Sequence, residues 1–206
     1  VQVLKGQVAD SLAHASPHLN VHDKVMIDAS SPTHDDPMFG LTIPDGPGES
    51  LIDSVSQIEG VTQVRMLRPS MMVVTTHIEG GPRPEESVET VDEEGAAAQR
   101  EHIVNLRDAI WSLDDSENLR WLFITDDDAD LQADGWRRKL LWQFFCRFDV
   151  ARDLHFDENR SRLAWDATAP IPSETGPLPV RRWPGVTLHD PEVEAKVEAW
   201  MKENNL

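Results

Sequence analysis

Apolar positions along the chain fall into two rhythms: short unbroken runs that suit buried strands, and spacings of three and four that suit amphipathic helices. Val3, Leu4, Val8, Leu12 and Ala15 follow the helical spacing up to Ser16-Pro17, which predicts a helix within residues 1–20. Lys24-Val-Met-Ile-Asp28 reads as a short buried strand. Residues 30–48 are rich in Pro and Gly and poor in periodic apolar positions, so they read as a loop or arm whose order depends on a partner surface. Leu51, Ile52, Val55 and Ile58 mark a short amphipathic helix with Gly60 as a natural C-cap. Residues 61–67 and 71–78 follow as two β-rich runs split by Arg68-Pro69-Ser70, close enough to pair antiparallel.

Residues 79–94, with Gly80-Gly81-Pro82-Arg83-Pro84 and a cluster of Asp and Glu, hold too little apolar content to pack and read as an acidic mobile loop. Ile103, Leu106, Ala109, Ile110 and Leu113 mark one face of a helix over 96–113, stopped by Asp114-Asp115. Residues 120–125 form an apolar strand of the kind buried on both faces of a sheet. An acidic turn over 126–134 leads to a helix over 136–148, with Leu140, Leu141, Phe144, Phe145 and Phe148 on its apolar face. Short strands at 154–156 and 162–165 precede a Pro-rich passage through Pro184. The last helix starts at Pro191 with Asp190 as cap and Glu192 and Glu194 at the positive end of the dipole. This order predicts an α/β fold, a layered mixed sheet flanked by helices with a long C-terminal helix. The expected organisation is an arm over 1–48 and one α/β domain over 49–206.

Charge then narrows the partners. The chain has 206 residues, 19 Lys and Arg against 37 Asp and Glu, and a net charge of −18. Polyphosphate backbones and anionic lipid surfaces are held by dense Lys and Arg, so nucleic acid and membrane are not expected partners. The longest apolar runs, 71–74 and 121–124, fall far short of the roughly 20 residues that cross a bilayer. The opening residues lack a basic and then apolar leader pattern, and the single Cys146 can form neither an intramolecular disulfide nor a cysteine zinc site. A reducing cytoplasm is the expected setting.

The chemistry-bearing motifs are sparse. Asp126-Asp127-Asp128-x-Asp130 invites a calcium reading, but an EF-hand loop starting at Asp126 would have Leu131 where the turn needs Gly and Arg137 where it needs Glu. A phosphoacceptor site would need a Lys at a later strand end, and Lys196 and Lys202 lie in the terminal helix. The expectation is a solvated acidic turn that caps the next helix. His18 and His22 stand four apart, but Pro17 and Asn20 argue against a regular helix there and the histidines read as scattered surface groups; no phosphate-cradling glycine motif or nucleophile elbow occurs. Cys146, among Phe144, Phe145 and Phe148, reads as core and not as a nucleophile. Seven tryptophans and no tyrosine leave two readings for Trp136, Trp142, Trp183 and Trp200: core, or anchors of an oligomer interface.

Several motifs in order carry a resemblance. Trp121-Leu-Phe-Ile-Thr-Asp-Asp-Asp-Ala-Asp130 is followed by Gly135-Trp136, Leu141-Trp142 and Arg147-Phe-Asp-Val-Ala-Arg-Asp153. Glu158-Asn159, Asp166-Ala-Thr168, Trp183-Pro-Gly185 and Asp190-Pro-Glu-Val193 continue the series. This succession, over about residues 115–203, resembles the C-terminal domain of the UbiD family of decarboxylases, which use prenylated flavin mononucleotide on aromatic or α,β-unsaturated acids. The resemblance implies an α/β domain that packs on a flavin domain in a homo- or hetero-oligomer. It also implies that prenylated FMN, its divalent metal and potassium, and the catalytic residues belong to that partner domain, so this chain alone carries no catalytic, cofactor or metal residue. The interface candidates are Trp136, Trp142, Arg147, Trp183 and Trp200. Two departures accompany it: the stretch between Asp153 and Asp166 is short for the family, and the acidic passage at 79–94 stands where a basic one is expected. The alternative function is a non-catalytic interaction or scaffold protein that keeps the fold.

Overall fold

The computed structural model describes residues 2–8, 21–26, 49–68, 70–82, 88, 90–147, 149–159, 161–175, 179–182 and 191–204. Its centre is a five-stranded mixed sheet of β3 (Val61–Arg68), β4 (Met71–Thr76), β5 (Trp121–Asp126), β7 (Leu163–Asp166) and β6 (Leu154–Phe156), in that spatial order. The three middle strands β4, β5 and β7 run parallel, while β3 and β6 close the two edges antiparallel. Met-Met-Val-Val and Leu-Phe-Ile are unbroken apolar runs because parallel strands inside a layered fold are covered on both faces.

Cross-strand register sorts those runs into two cores. Val73, Phe123 and Trp165 stand side by side and face α3 (Trp136–Arg147), which contributes Trp136, Leu140 and Phe144. Ring centroids of Phe123 and Phe144 lie 4.8 Å apart, and Trp165 closes the triad at 5.8 and 5.9 Å. One residue along, Met72, Leu122 and Ala164 face the opposite way, as strand alternation requires. They pack on α1 (Glu49–Ser56) through Leu51 and Val55, and on α2 (Glu93–Trp111) through Ile103, Leu106 and Ile110.

Helix starts follow local capping chemistry. Asp92 caps α2 by accepting the Gly95 N–H at 2.9 Å, and Glu93 and Glu94 occupy the positive end of the dipole. The helix thus begins inside the passage expected to be a mobile loop; residues 83–87 of that passage lie outside the described residues. A 3-10 turn, Asp114–Asn118, joins α2 to β5, and the single turn α4 (Val150–Asp153) leads into β6. α1 ends at Ser56, so Gly60 is not its cap. With φ +88°, Gly60 instead makes the turn into β3, where a Cβ would come 2.8 Å from His102 Cε1.

Three expectations are corrected. Gln2–Val8 is a strand, β1, paired antiparallel with β2 (Val21–Met26) in a separate two-stranded ribbon, and not part of a helix. Val3 and Val8 stand opposite Val25 and Val21, and β-branched residues around Gly6 favour extended pairing over a helix. The strand placed at 24–28 begins three residues earlier, at Val21, and the arm at 30–48 lies outside the described residues. On α3, Leu141 is 55% and Phe145 67% exposed; the inward face is Trp136, Leu140, Gln143, Phe144 and Arg147. Phe148 lies outside the described residues, and Cys146 is half-buried rather than core.

The terminal helix α5 (Pro191–Glu203) starts where expected; its described side chains are exposed, and its cap residue Asp190 lies outside the described residues. Among the described residues no helix is long and apolar enough to cross a membrane. The assignment of the α3 faces is tested by urea unfolding: Leu140→Ala is expected to cost about 2–5 kcal/mol, and Leu141→Gln to change stability by no more than about 0.5 kcal/mol.

Candidate functional site

Three parallel strands running the same way bring their carboxyl ends to one edge of the sheet, the usual place for chemistry in open α/β folds. Here β5 ends in Asp126 and β7 in Asp166, and His77 follows directly on β4. Apolar strand interiors leave these terminal polar residues as the first groups free to turn toward each other.

Asp126 Oδ2 accepts from Arg147 Nη1 at 2.5 Å and from the Ala169 N–H at 2.7 Å. Arg147 is 6% exposed at its side chain, and its Nη2 stands 3.5 Å from Asp128 Oδ2. Gln143, one turn earlier on α3, donates to Asp128 Oδ1 at 2.8 Å and accepts the Thr125 hydroxyl at 3.1 Å. Burial pushes the Asp126 carboxyl up to about 6, against the pull of Arg147 and the Ala169 N–H. The acidic turn is therefore only half solvated. Asp127 faces out beside His77 at 3.0 Å, and Asp130 accepts the Gln132 N–H, while Asp126 and Asp128 turn inward because α3 supplies a guanidinium and an amide there.

A second cluster adjoins it. Arg152 forks onto Asp153, Nε to Oδ1 at 2.5 Å and Nη2 to Oδ2 at 2.6 Å, and also donates to the Arg147 carbonyl at 3.1 Å. Asp149 caps α4 through the Ala151 and Arg152 N–H groups, and its own N–H goes to Asp153 at 2.7 Å. Asp166 Oδ1 accepts the Thr168 N–H at 2.8 Å and its hydroxyl at 2.7 Å. Gln99 of α2 donates to Thr168 and to the Ala169 carbonyl and accepts the Ile171 N–H, which ties α2 to the segment after β7. Burial pushes Asp166 up to about 6 and Asp153 up to about 7, with Arg152 opposing both shifts.

Two hollows adjoin these groups. One, of about 120 Å³, is bordered by Arg100, Arg152, Asp153, His155 and Asp166. Burial, with Arg107 second, pushes His155 down to about 4. The other is an open cleft of about 690 Å³ between α2 and the α1–β3 turn, with Glu59, Glu79, His77 and His102 on its wall and, among the described residues, no Lys or Arg. Neither fits the prenylated flavin that the resemblance implies for the family. The small hollow lies well below the roughly 300–1,000 Å³ of organic ligand sites, and the cleft offers a phosphate only acidic or neutral neighbours. Among the described residues no group of three His, Cys, Asp or Glu is placed to hold a metal.

The interface candidates separate. Trp136 is buried at 8% exposure between the guanidinium groups of Arg65 and Arg137, each 4.7 Å from its ring, and Arg147 belongs to the buried network. Trp142 is 41% and Trp200 55% exposed, and Trp183 lies outside the described residues. Cys146 has its thiol pushed up by burial, which disfavours a nucleophilic thiolate. Sequence reasoning gave no role to Gln99, Gln143, Arg152 or Asp153. The readable signal was an acidic residue closing each apolar run, with Gln143 and Arg147 four apart on the facing helix.

No family model matches the chain, and no curated protein matches it. Among solved structures it is similar to vanillic acid decarboxylase of Sedimentibacter hydroxybenzoicus in its open form with truncated VdcD, at 15% identity and a TM-score of 0.45, over 76% of this chain and 32% of that one. The closed form gives 14%, 0.44, 74% and 31%. An evolved dimeric form of the UbiD-class enzyme HmfF from Pelotomaculum thermopropionicum, in complex with prFMN, gives 15%, 0.40, 70% and 27%. The chain spans less than a third of the length of these chains.

Two predictions follow from the charge network. Arg147→Met leaves Asp126 buried without its cation and is expected to cost about 3–5 kcal/mol, most of it recovered in the double variant with Asp126→Asn. The second concerns pH. Asp126, Asp153 and Asp166 titrate above the ordinary carboxylate range, so the folded chain holds protons that the unfolded chain has released above about pH 4. Their contribution is full below that pH and is lost as pH rises through about 6 to 7. His155 and His102, both pushed down, act in the opposite sense as pH falls below the ordinary imidazole range. Asp166→Asn keeps an acceptor for both Thr168 bonds, so urea titrations between pH 5 and 7.5 should show a smaller fall in stability with rising pH than in the parent; Asp166→Ala should cost about 1–3 kcal/mol.

Proposed function

We propose that this chain is the C-terminal-domain subunit, or fragment, of a UbiD-type carboxy-lyase acting on aromatic or α,β-unsaturated carboxylic acids. Its part is assembly and completion of the active-site wall, while a partner domain carries prenylated FMN, the divalent metal and potassium. One observation carries this reading. Eight of the residues that carry the family resemblance, Asp126, Asp128, Arg147, Asp149, Arg152, Asp153, Asp166 and Thr168, bond or pair within a largely buried network at the strand ends and the end of α3, which Gln99 ties to α2. Groups committed in that way rigidify a wall.

The surface supports the same reading. Leu141, Trp142 and Phe145 stand exposed together on the outer face of α3, and Trp200 stands exposed on α5. Large apolar and aromatic side chains left in water in this way are the usual anchors of protein contacts. Under this proposal residues 1–48 form the arm that a partner surface orders, and residues 49–206 the domain proper.

Native mass spectrometry with an absorbance spectrum on untagged material tests the proposal. The expected result is a stable complex with a second subunit that carries flavin-like absorbance, and no CO2 release from aromatic acids by this chain alone. Decarboxylation by the purified chain overturns the assignment of catalysis to a partner. A flavin-free homo-oligomer overturns the decarboxylase reading and leaves a scaffold that keeps the fold.

A further inference from the structure

The cleft between α2 and the α1–β3 turn shares only Gln99 with the buried network, and its chemistry is one-sided. Ile58, Ile78, Leu106 and Ala109 give it an apolar floor, and about 690 Å³ is room for a small organic molecule. Its polar neighbours divide into spent and unspent groups. The Gln99 amide is fully used by Thr168, Ala169 and Ile171, and His77 is engaged by Asp127. Glu59, Glu79, His102 and the exposed Asn105 amide remain, the first three of them ionisable.

The protonation of His102 follows from the hydrogen bonds around Thr76. The Thr76 hydroxyl lies 2.7 Å from the Gly60 carbonyl and 2.7 Å from His102 Nε2. A carbonyl only accepts, so the single hydroxyl proton goes to Gly60, and Nε2 must then carry the hydrogen that it donates to Thr76. Burial holds the ring below its ordinary pKa, hence neutral near pH 7, and a neutral ring with Nε2–H has a lone pair on Nδ1. Among the described residues no donor meets that nitrogen. Gly60 is what admits the ring, since a Cβ there would stand 2.8 Å from His102 Cε1.

Every unspent ionisable group of the cleft is therefore an acceptor, two of them carboxylates, over an apolar floor with no Lys or Arg among the described residues that line it. We infer that this cleft binds a small primary amine in its ammonium form on a short apolar stem, held by His102 Nδ1, Glu59 and Glu79. Anionic ligands are excluded by the same wall. The assignment does not rest on the decarboxylase reading, and either can fail alone.

The test uses the full chain, labelled with 15N, and phenethylamine as probe. Long-range 1H–15N spectra near neutral pH are expected to show His102 as the Nε2–H tautomer, with its Nδ1 resonance shifting saturably as phenethylamine is added. 3-Phenylpropanoate, with the same stem and a carboxylate, is expected to produce no such shift. Glu79→Gln should weaken the amine by about tenfold, and Ala98→Trp, at an exposed position on the cleft wall, should abolish the shift without altering the Nε2–H tautomer. A ring protonated on Nδ1, equal binding of the acid and the amine, or the absence of a saturable shift overturns the inference.

Discussion

Asp126 is the group on which the rest of the arrangement depends. A carboxylate closing a central strand has lost most of its water, and an ion in that position costs several kcal/mol unless it is paired and hydrogen-bonded. Its two partners come from far apart in the chain, Arg147 at the end of α3 and the Ala169 N–H beyond β7. Satisfying one oxygen therefore fixes both where α3 ends and how the chain leaves β7. The aromatic triad of Phe123, Phe144 and Trp165 sits directly below and fills the same interface with apolar contact. Charge sets the register of α3 on the sheet, and packing supplies the bulk of its adhesion.

That solution has a consequence for the neighbours. Asp153 and Asp166 are buried with Asp126, and each is raised in part by another acid, Asp166 acting on Asp153 and Asp126 on Asp166. Two guanidinium groups, those of Arg147 and Arg152, serve this set. Such a network stores an electrostatic cost that is acceptable only where all members are held in place. Gln99 and Gln143, fully hydrogen-bonded amides without charge, act as the spacers that hold them.

Much of the fold was legible because it is written in apolar rhythm. The runs at 71–74 and 121–124 became the parallel strands, and the periodic face of α2 became its core face, since both signals depend on the chain's own period. The inward face of α3 was misread for a physical reason. Counting Leu141 and Phe145 as core assumes that polar positions face water, whereas Gln143 and Arg147 are buried by partners 15 and more residues away in sequence. The N-terminal ribbon was misread because Leu4 and Val8, four apart, suit both periods, and only the pairing with Val21–Met26 decides between them. The role of His102 was beyond the sequence, because the tautomer is set by Thr76 and Gly60, groups that no spacing rule connects.

The edge of the sheet thus holds two kinds of polar chemistry side by side. Around Asp126, Asp153 and Asp166 the charges are held by guanidinium, amide and backbone groups of the described chain. Around Thr76 the hydrogen-bond chain runs from His102 to Thr76 to Gly60, and among the described residues no donor meets the other ring nitrogen. A hydroxyl has one proton, so the direction of that chain cannot reverse without leaving the Gly60 carbonyl and the Thr76 oxygen facing each other unprotonated at 2.7 Å. The Nε2–H form of the neutral His102 ring therefore follows from the fold, because Thr76 and Gly60 fix which way its hydrogen bond runs.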